Sequence, residues 1–138
     1  MPHDPARVED TRVWMTKART DLHAGAHGLT AVPPITTDAV FHAQQAAEKA
    51  LKGFLAWHDE PFGKTHDLAA LCRLCTPIEQ SFESMGRRAA RLTDYAWKYR
   101  YPGEPGEPSR EEAESALALA REVYDAVLEL LPSEARPA

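Results

Sequence analysis

The chain has 138 residues, 43% of them hydrophobic, and a formal net charge of -5. That length suits one domain able to bury about two-thirds of its unfolded surface, and the apolar content excludes a disordered chain. No apolar run approaches the ~20 residues of a membrane span, and the acidity argues against indiscriminate nucleic-acid binding.

The charge is unevenly placed. Arg87, Arg88, Arg91, Lys98 and Arg100 face a single acid, Asp94, between positions 87 and 100, whereas residues 104–134 carry nine acids and two arginines. A basic stretch beside an acidic one either attracts it or frames a local phosphate site.

One domain is expected over residues 1–138, with its core at 8–131 and flexible ends at 1–7 and 132–138. Met1-Pro2-His3-Asp4-Pro5 lacks the charged start and apolar core of a signal peptide, so a cytoplasmic protein is expected. The periodicity predicts a first helix from Val8 to His27 with the stripe Trp14, Ala18, Leu22 and Ala26. Val32-Pro33-Pro34 breaks it.

A second helix is predicted from a cap at Thr36 or Thr37 to about His58, with Asp38 in its first turn. Val40, Ala43, Ala46, Ala47, Ala50, Leu51, Phe54 and Leu55 share one face, and Trp57 continues it. The opposite arc holds His42, Gln45, Lys49 and Lys52. Phe41 falls on that polar side, which marks it as a partner-facing residue. Gln44 lies close to the apolar arc, where burial demands a hydrogen-bond partner, either structural, from a tyrosine or a second subunit, or a bound ligand.

Thr65 is the expected cap of a third helix with Leu68, Leu71, Cys72 and Cys75 inward, interrupted by Pro77 before a short turn holding Ile78 and Phe82. The two cysteines have no second pair to complete a zinc site and no βαβ setting for redox chemistry, so they read as half-buried helix residues. A fourth helix is expected from Met85 to Tyr99, with Leu92, Tyr95, Ala96 and Tyr99 on its core side and Trp97 off it. After the helix-free loop Pro102–Pro108, Ser109-x-x-Glu112 forms a capping box. It opens a fifth helix with the inward stripe Ala113, Ala116, Leu117, Ala120, Val123, Tyr124, Val127 and Leu131. There is no strand signal, so the fold class is all-α: an antiparallel four-to-five-helix up-and-down bundle.

Arg100-Tyr101-Pro102 is the most suggestive triplet. At a helix end Arg100 can clamp a phosphate with paired donors, and Tyr101 can stack on a base. The alternative is an arginine capping carbonyls and a tyrosine plugging the bundle end. His66 can donate to a phosphate, shuttle a proton or simply pack. His23 and His27, one turn apart, form either a two-ligand metal edge or a surface pair; no metal site is assigned. Gly-x-x-x-x-Gly-Lys, Gly-x-Ser-x-Gly and His-Glu-x-x-His are all absent.

Phe41-His42-Ala43-Gln44-Gln45-Ala46-Ala47-Glu48-Lys49-Ala50-Leu51-Lys52, then Thr65-His66-Asp67-Leu68, then Arg100-Tyr101-Pro102, resembles the HEPN domain family over about residues 10–131. The resemblance implies a helical bundle, usually a homodimer. In small prokaryotic members it implies pairing with a minimal nucleotidyltransferase as a toxin-antitoxin-like unit. Many HEPN proteins are metal-independent RNases with an arginine, four to six residues, then a histidine. After Arg100 those positions hold Pro105, Gly106 and Glu107, and no other arginine has a histidine at that spacing. The group for proton transfer at an RNA 2'-hydroxyl is therefore missing from its place. The reading favours a nucleotide- or nucleic-acid-binding protein without cofactor, and leans away from an enzyme without settling the point. Arg100, Tyr101, Lys52, Gln45, His66 and Tyr95 are its phosphate-site candidates, and Phe41 and Trp97 lie at the subunit contact. The alternatives are a divergent RNase, with His66 replacing the missing histidine in space, and a non-catalytic dimeric scaffold.

Overall fold

Alanine decides the centre of the bundle. A computed structural model describes residues 2–103 and 106–138. Glu104 and Pro105, within the expected loop, and Met1 lie outside the described residues. Helix α2 (Thr36–Trp57) packs against α1 (Pro5–Gly28), α3 (Leu68–Cys75), α5 (Arg110–Glu129) and the 3-10 segment Ala90–Ala96 that extends α4 (Phe82–Ala89). Its whole predicted apolar face is buried, from Val40 through Ala43, Ala46, Ala47, Ala50, Leu51, Phe54 and Leu55 to Trp57. Five alanines on α2 and three on α5 (Ala113, Ala116, Ala120) are buried, which lets the two backbones approach closely.

Contacts fix the directions. Gly25 of α1 abuts Ala39 and His42, while Gly53 of α2 abuts Met15 and Trp14, so α1 and α2 are antiparallel. Arg110 at the start of α5 donates to the Leu29 carbonyl at 3.0 Å, and Arg12 donates to the Glu134 carbonyl, so α5 is antiparallel to α1. Phe82 packs on Phe54 and Arg100 on Phe41, so α4 and its extension return along α2. These four run up and down in turn, with α3 packed on α2 and α4. The described residues are helical with no strand, and the expected all-α bundle is what forms.

Several details differ from expectation. Helix α1 starts at Pro5, where Asp4 Oδ1 accepts from Ala6 N at 3.0 Å and proline occupies the first turn. Its buried line is Thr11, Met15, Ala18, Leu22 and Gly25, whereas Trp14 is half-buried and Ala26 exposed. Unbroken four-residue steps drift by about 40° each around a helix, so alternating steps of three and four hold the face. Neither Thr36 nor Thr37 caps α2: Ile35 holds the cap position without a side-chain bond, and Thr36 is a buried first residue. Asp67, not Thr65, caps α3, accepting from Ala69 N and Ala70 N. Ile78 is exposed, and Phe82 opens α4.

The expected fourth helix is broken. Helical α4 ends at Ala89, tightens into the 3-10 segment, and regular structure ends at Ala96. Only Ser109 completes its half of the capping box, its Oγ accepting from Glu112 N at 3.0 Å, because the Glu112 carboxylate is used elsewhere. At the C-terminus, Ser133–Ala135 forms a 3-10 turn with Ala135 fully buried. Cys72 and Cys75 are free and fully buried rather than half-buried. Burial pushes the Cys72 thiol up to about 11 and the Cys75 thiol higher still, which makes both inert at neutral pH.

Candidate functional site

Beyond Ala96 the chain turns sharply, and Tyr99 takes a positive φ of 69°. For an aromatic residue this is costly, about 1–3 kcal/mol, and needs support from its surroundings. Tyr99 stacks on Tyr95, lies under the Lys98 ammonium at 4.9 Å and donates weakly to Glu112 Oε2 at 3.4 Å. The turn sends Arg100 back toward α2. Its guanidinium lies over the Phe41 ring, 4.1 Å from the centroid, and Nη1 donates to the Ala96 carbonyl at 3.0 Å. Arg100 thus caps one carbonyl, as one expectation held, yet most of its five N–H donors are not used there. Among the described residues no carboxylate lies within ion-pair distance of it. Tyr101 is 60% exposed, and the guanidinium sits 6.0 Å from its ring.

A second group lies two turns along the same side of α2. Glu48 is 4% exposed and serves three donors. His66 Nδ1 donates to its Oε1 at 2.7 Å, Gln44 Nε2 to the same oxygen at 3.0 Å, and Lys52 Nζ to Oε2 at 3.0 Å. Burial alone would raise the Glu48 carboxyl, but the bonds from His66, Gln44 and Lys52 outweigh it and hold the group below its ordinary value. Gln44, fully buried, is satisfied within its own chain: it also donates to the His66 carbonyl at 3.3 Å and accepts from Gln45 at 2.6 Å. No tyrosine and no second subunit is needed for it. His66 is held at both its ring and its backbone, yet its side chain keeps 63% of its surface exposed. Facing a carboxylate, Nδ1 carries the proton and Nε2 is left for solvent or ligand.

The candidates therefore divide. Arg100, Tyr101 and Phe41 meet on one platform; Gln45, His66 and Lys52 belong to the Glu48 group. Lys52, placed on the polar arc by its spacing, is buried beneath the rings of Trp14 and Phe62 and paired with Glu48. Its ammonium is committed before any ligand arrives. Tyr95 stands apart, donating to Glu112 Oε2 at 2.6 Å beside a cavity of about 250 Å³ on the α5 side. Desolvation, together with that bond to a carboxylate, raises its phenol above the usual value. Phe41 is half-buried beneath Arg100, and Trp97 is 48% exposed. The basic and acidic stretches touch through one ion pair among the described residues, Arg88 with Glu122.

Sequence reasoning missed Glu48 as the hub, although Gln44, Glu48 and Lys52 at four-residue spacing were a usable signal. It also missed Asp21, which accepts from His42 and Lys49 and had no local signature. His23 and His27 are exposed, and the described residues contain no group of three or more potential metal ligands.

The sequence model of the HEPN domain matches residues 11–130, nearly the whole bundle and both groups above. No curated protein and no solved structure shows significant similarity to the chain. The match spans far more than half of the chain and accords with the helical architecture; this protein belongs to the HEPN domain family.

Proposed function

We propose that the protein binds a phosphorylated ligand, a nucleotide or RNA, at the Arg100 platform. The single observation that carries this reading is a guanidinium seated over the Phe41 ring with no carboxylate partner among the described residues. A charged fork with most of its donors left over after one bond to the Ala96 carbonyl is suited to a phosphate. Tyr101 supplies a stacking surface beside it. Gln45 and His66 extend the polar strip, and Lys52 contributes by balancing Glu48 rather than by contact. Tyr95 acts at a distance, buttressing the turn that aims Arg100.

The family resemblance extends the proposal to a cytoplasmic homodimer that works with a minimal nucleotidyltransferase in a toxin-antitoxin-like pair. Exposed Trp97, with Phe41 at the rim of the platform, is the proposed subunit contact. No helix among the described residues is long and apolar enough to cross a membrane.

A second reading has its own support. His66, oriented by a buried carboxylate and open at Nε2, has the arrangement of a general base, so a divergent metal-independent RNase is the alternative. A non-catalytic scaffold is the third.

Titration calorimetry of the full chain with ATP and with short RNA, comparing wild type with Arg100→Ala, tests the leading reading. The expected result is loss of binding with the melting temperature nearly unchanged, because an exposed cation–π contact is worth only about 0.5–1 kcal/mol. Unchanged binding, or a large loss of stability, would make Arg100 structural. RNA cleavage in chelator that vanishes in His66→Ala would put the RNase reading first. Absence of any ligand binding alongside tight partner binding would favour the scaffold.

A further inference from the structure

A polar cluster beside the Arg100 platform has no part in the readings above. Asp21, on α1, is 8% exposed. Its Oδ1 accepts from His42 Nδ1 at 2.8 Å, and its Oδ2 accepts from Lys49 Nζ at 2.6 Å. The His42 imidazole meets Phe41 edge to face, with ring centroids 5.5 Å apart. The same Phe41 ring carries the Arg100 guanidinium. One aromatic ring therefore separates an imidazole from a guanidinium, although the two residues lie far apart in sequence.

The chemistry of the cluster is directional. Opposite a carboxylate, Nδ1 holds the proton, so Nε2 is the nitrogen left over. His42 makes no second side-chain hydrogen bond among the described residues, and its side chain keeps 27% of its surface exposed. Lys49 neutralises Asp21, so the acid presents no uncompensated charge to an anion bound next door. A lock between α1 and α2 would need the carboxylate and its donors, but not an exposed edge on the ring.

We propose that His42, as an imidazolium with Nδ1–H donating to Asp21 and Nε2–H donating outward, is a second contact for the phosphorylated ligand of the Arg100 site. Asp21 is its positioning residue, and Lys49 is the counter-charge that keeps Asp21 from repelling the ligand. This rests on the phosphate-binding reading of Arg100 and narrows the ligand class. Two contacts one ring apart suit successive phosphates, those of a nucleoside triphosphate or of adjacent linkages in an RNA strand, and not a lone phosphate ion.

The test uses the full chain with three probes: inorganic phosphate, ATP and a 5'-phosphorylated pentauridylate. Arg100→Ala is measured first. If wild type binds none of the probes, or Arg100→Ala binds as wild type does, the phosphate reading fails and takes this proposal with it. If Arg100→Ala loses binding, His42→Asn decides, because its amide reproduces the Nδ1 donor to Asp21 and removes Nε2. The expected result is binding at least tenfold weaker at an unchanged melting temperature. Unchanged affinity in His42→Asn would overturn the proposal and leave the Arg100 reading standing.

The imidazole resonances of His42 in the wild-type protein give a readout independent of any variant. They are expected to shift on adding ATP or the RNA; resonances that stay put at saturation would overturn the proposal. Inorganic phosphate binding as tightly as ATP would do the same. Tighter binding of ATP assigns the site to a free nucleotide, and tighter binding of the pentauridylate assigns it to an RNA strand.

Discussion

Lys52 follows Glu48 by one helical turn, and its ammonium lies 3.0 Å from the Glu48 carboxylate with both side chains less than a tenth exposed. An ion pair so placed is costly to make and more costly to break, since removing one member strands the other away from water.

Glu48→Gln tests this directly. The amide keeps the shape, but Lys52 loses its counter-charge and His66 loses its anchor. A loss of about 3 kcal/mol is expected in urea unfolding. Adding Lys52→Met to that background is expected to restore much of the loss, because it removes the stranded charge. Additive losses in the double variant would mean that the two residues do not act as a pair.

Acid stability follows from the same carboxylate. Glu48 releases its proton at a lower pH in the folded chain than in the unfolded one, where the ordinary value is near 4.5. Over that window the unfolded state binds more protons, so this contribution to stability is complete above the ordinary value and fades as pH falls through the folded one. Melting temperatures recorded from pH 6 down to pH 3 are expected to fall more steeply in wild type than in Glu48→Gln. Tyr95 has the opposite sign. Its phenol is raised, so its stabilising contribution is lost as pH climbs past the ordinary value of 10, and Tyr95→Phe is expected to flatten that alkaline decline.

Gly86 of α4 packs directly against Cys72 of α3. A Cβ there would lie 2.7 Å from the Cys72 Cβ, and an atom so near the backbone cannot swing away. Gly86→Ala is therefore expected to cost about 1–3 kcal/mol as the helices separate. Gly63→Ala is the control, since nothing lies within 4 Å of the place its methyl would take, and a change within about 0.5 kcal/mol is expected. Equal effects at the two sites, measured by thermal unfolding, would remove close packing as the reason for glycine at position 86.

The inner face of α2 could be read from periodicity because, Gln44 apart, every residue from Val40 to Trp57 on that arc obeys one rule, apolar toward the core. Its polar arc could not, because depth there depends on what lies above. Lys52 looks like a surface residue until Trp14 and Phe62, brought from α1 and the loop after α2, close over it. The end of α4 was misplaced for a related reason. Pro102 is the visible breaker, yet the helix has already tightened at Ala90 and the turn at Tyr99 is held by Glu112 of α5, a contact across the bundle. Arg100 and Tyr101 were singled out from a triplet. Phe41 as the surface beneath Arg100, and Asp21 behind His42, depend on tertiary neighbours that no local spacing encodes.

Helix α2 lends one side to the interior and the other to both imidazole-bearing groups, and so it cannot shift for one without disturbing the other. A molecule gripping its outer strip restrains the same rod that the alanines hold from within. If the proposed ligand binds there, occupancy at the surface would be coupled to how often the middle of the protein opens, and the deepest amides of α2 would report it, their hydrogen exchange slowing as the strip fills.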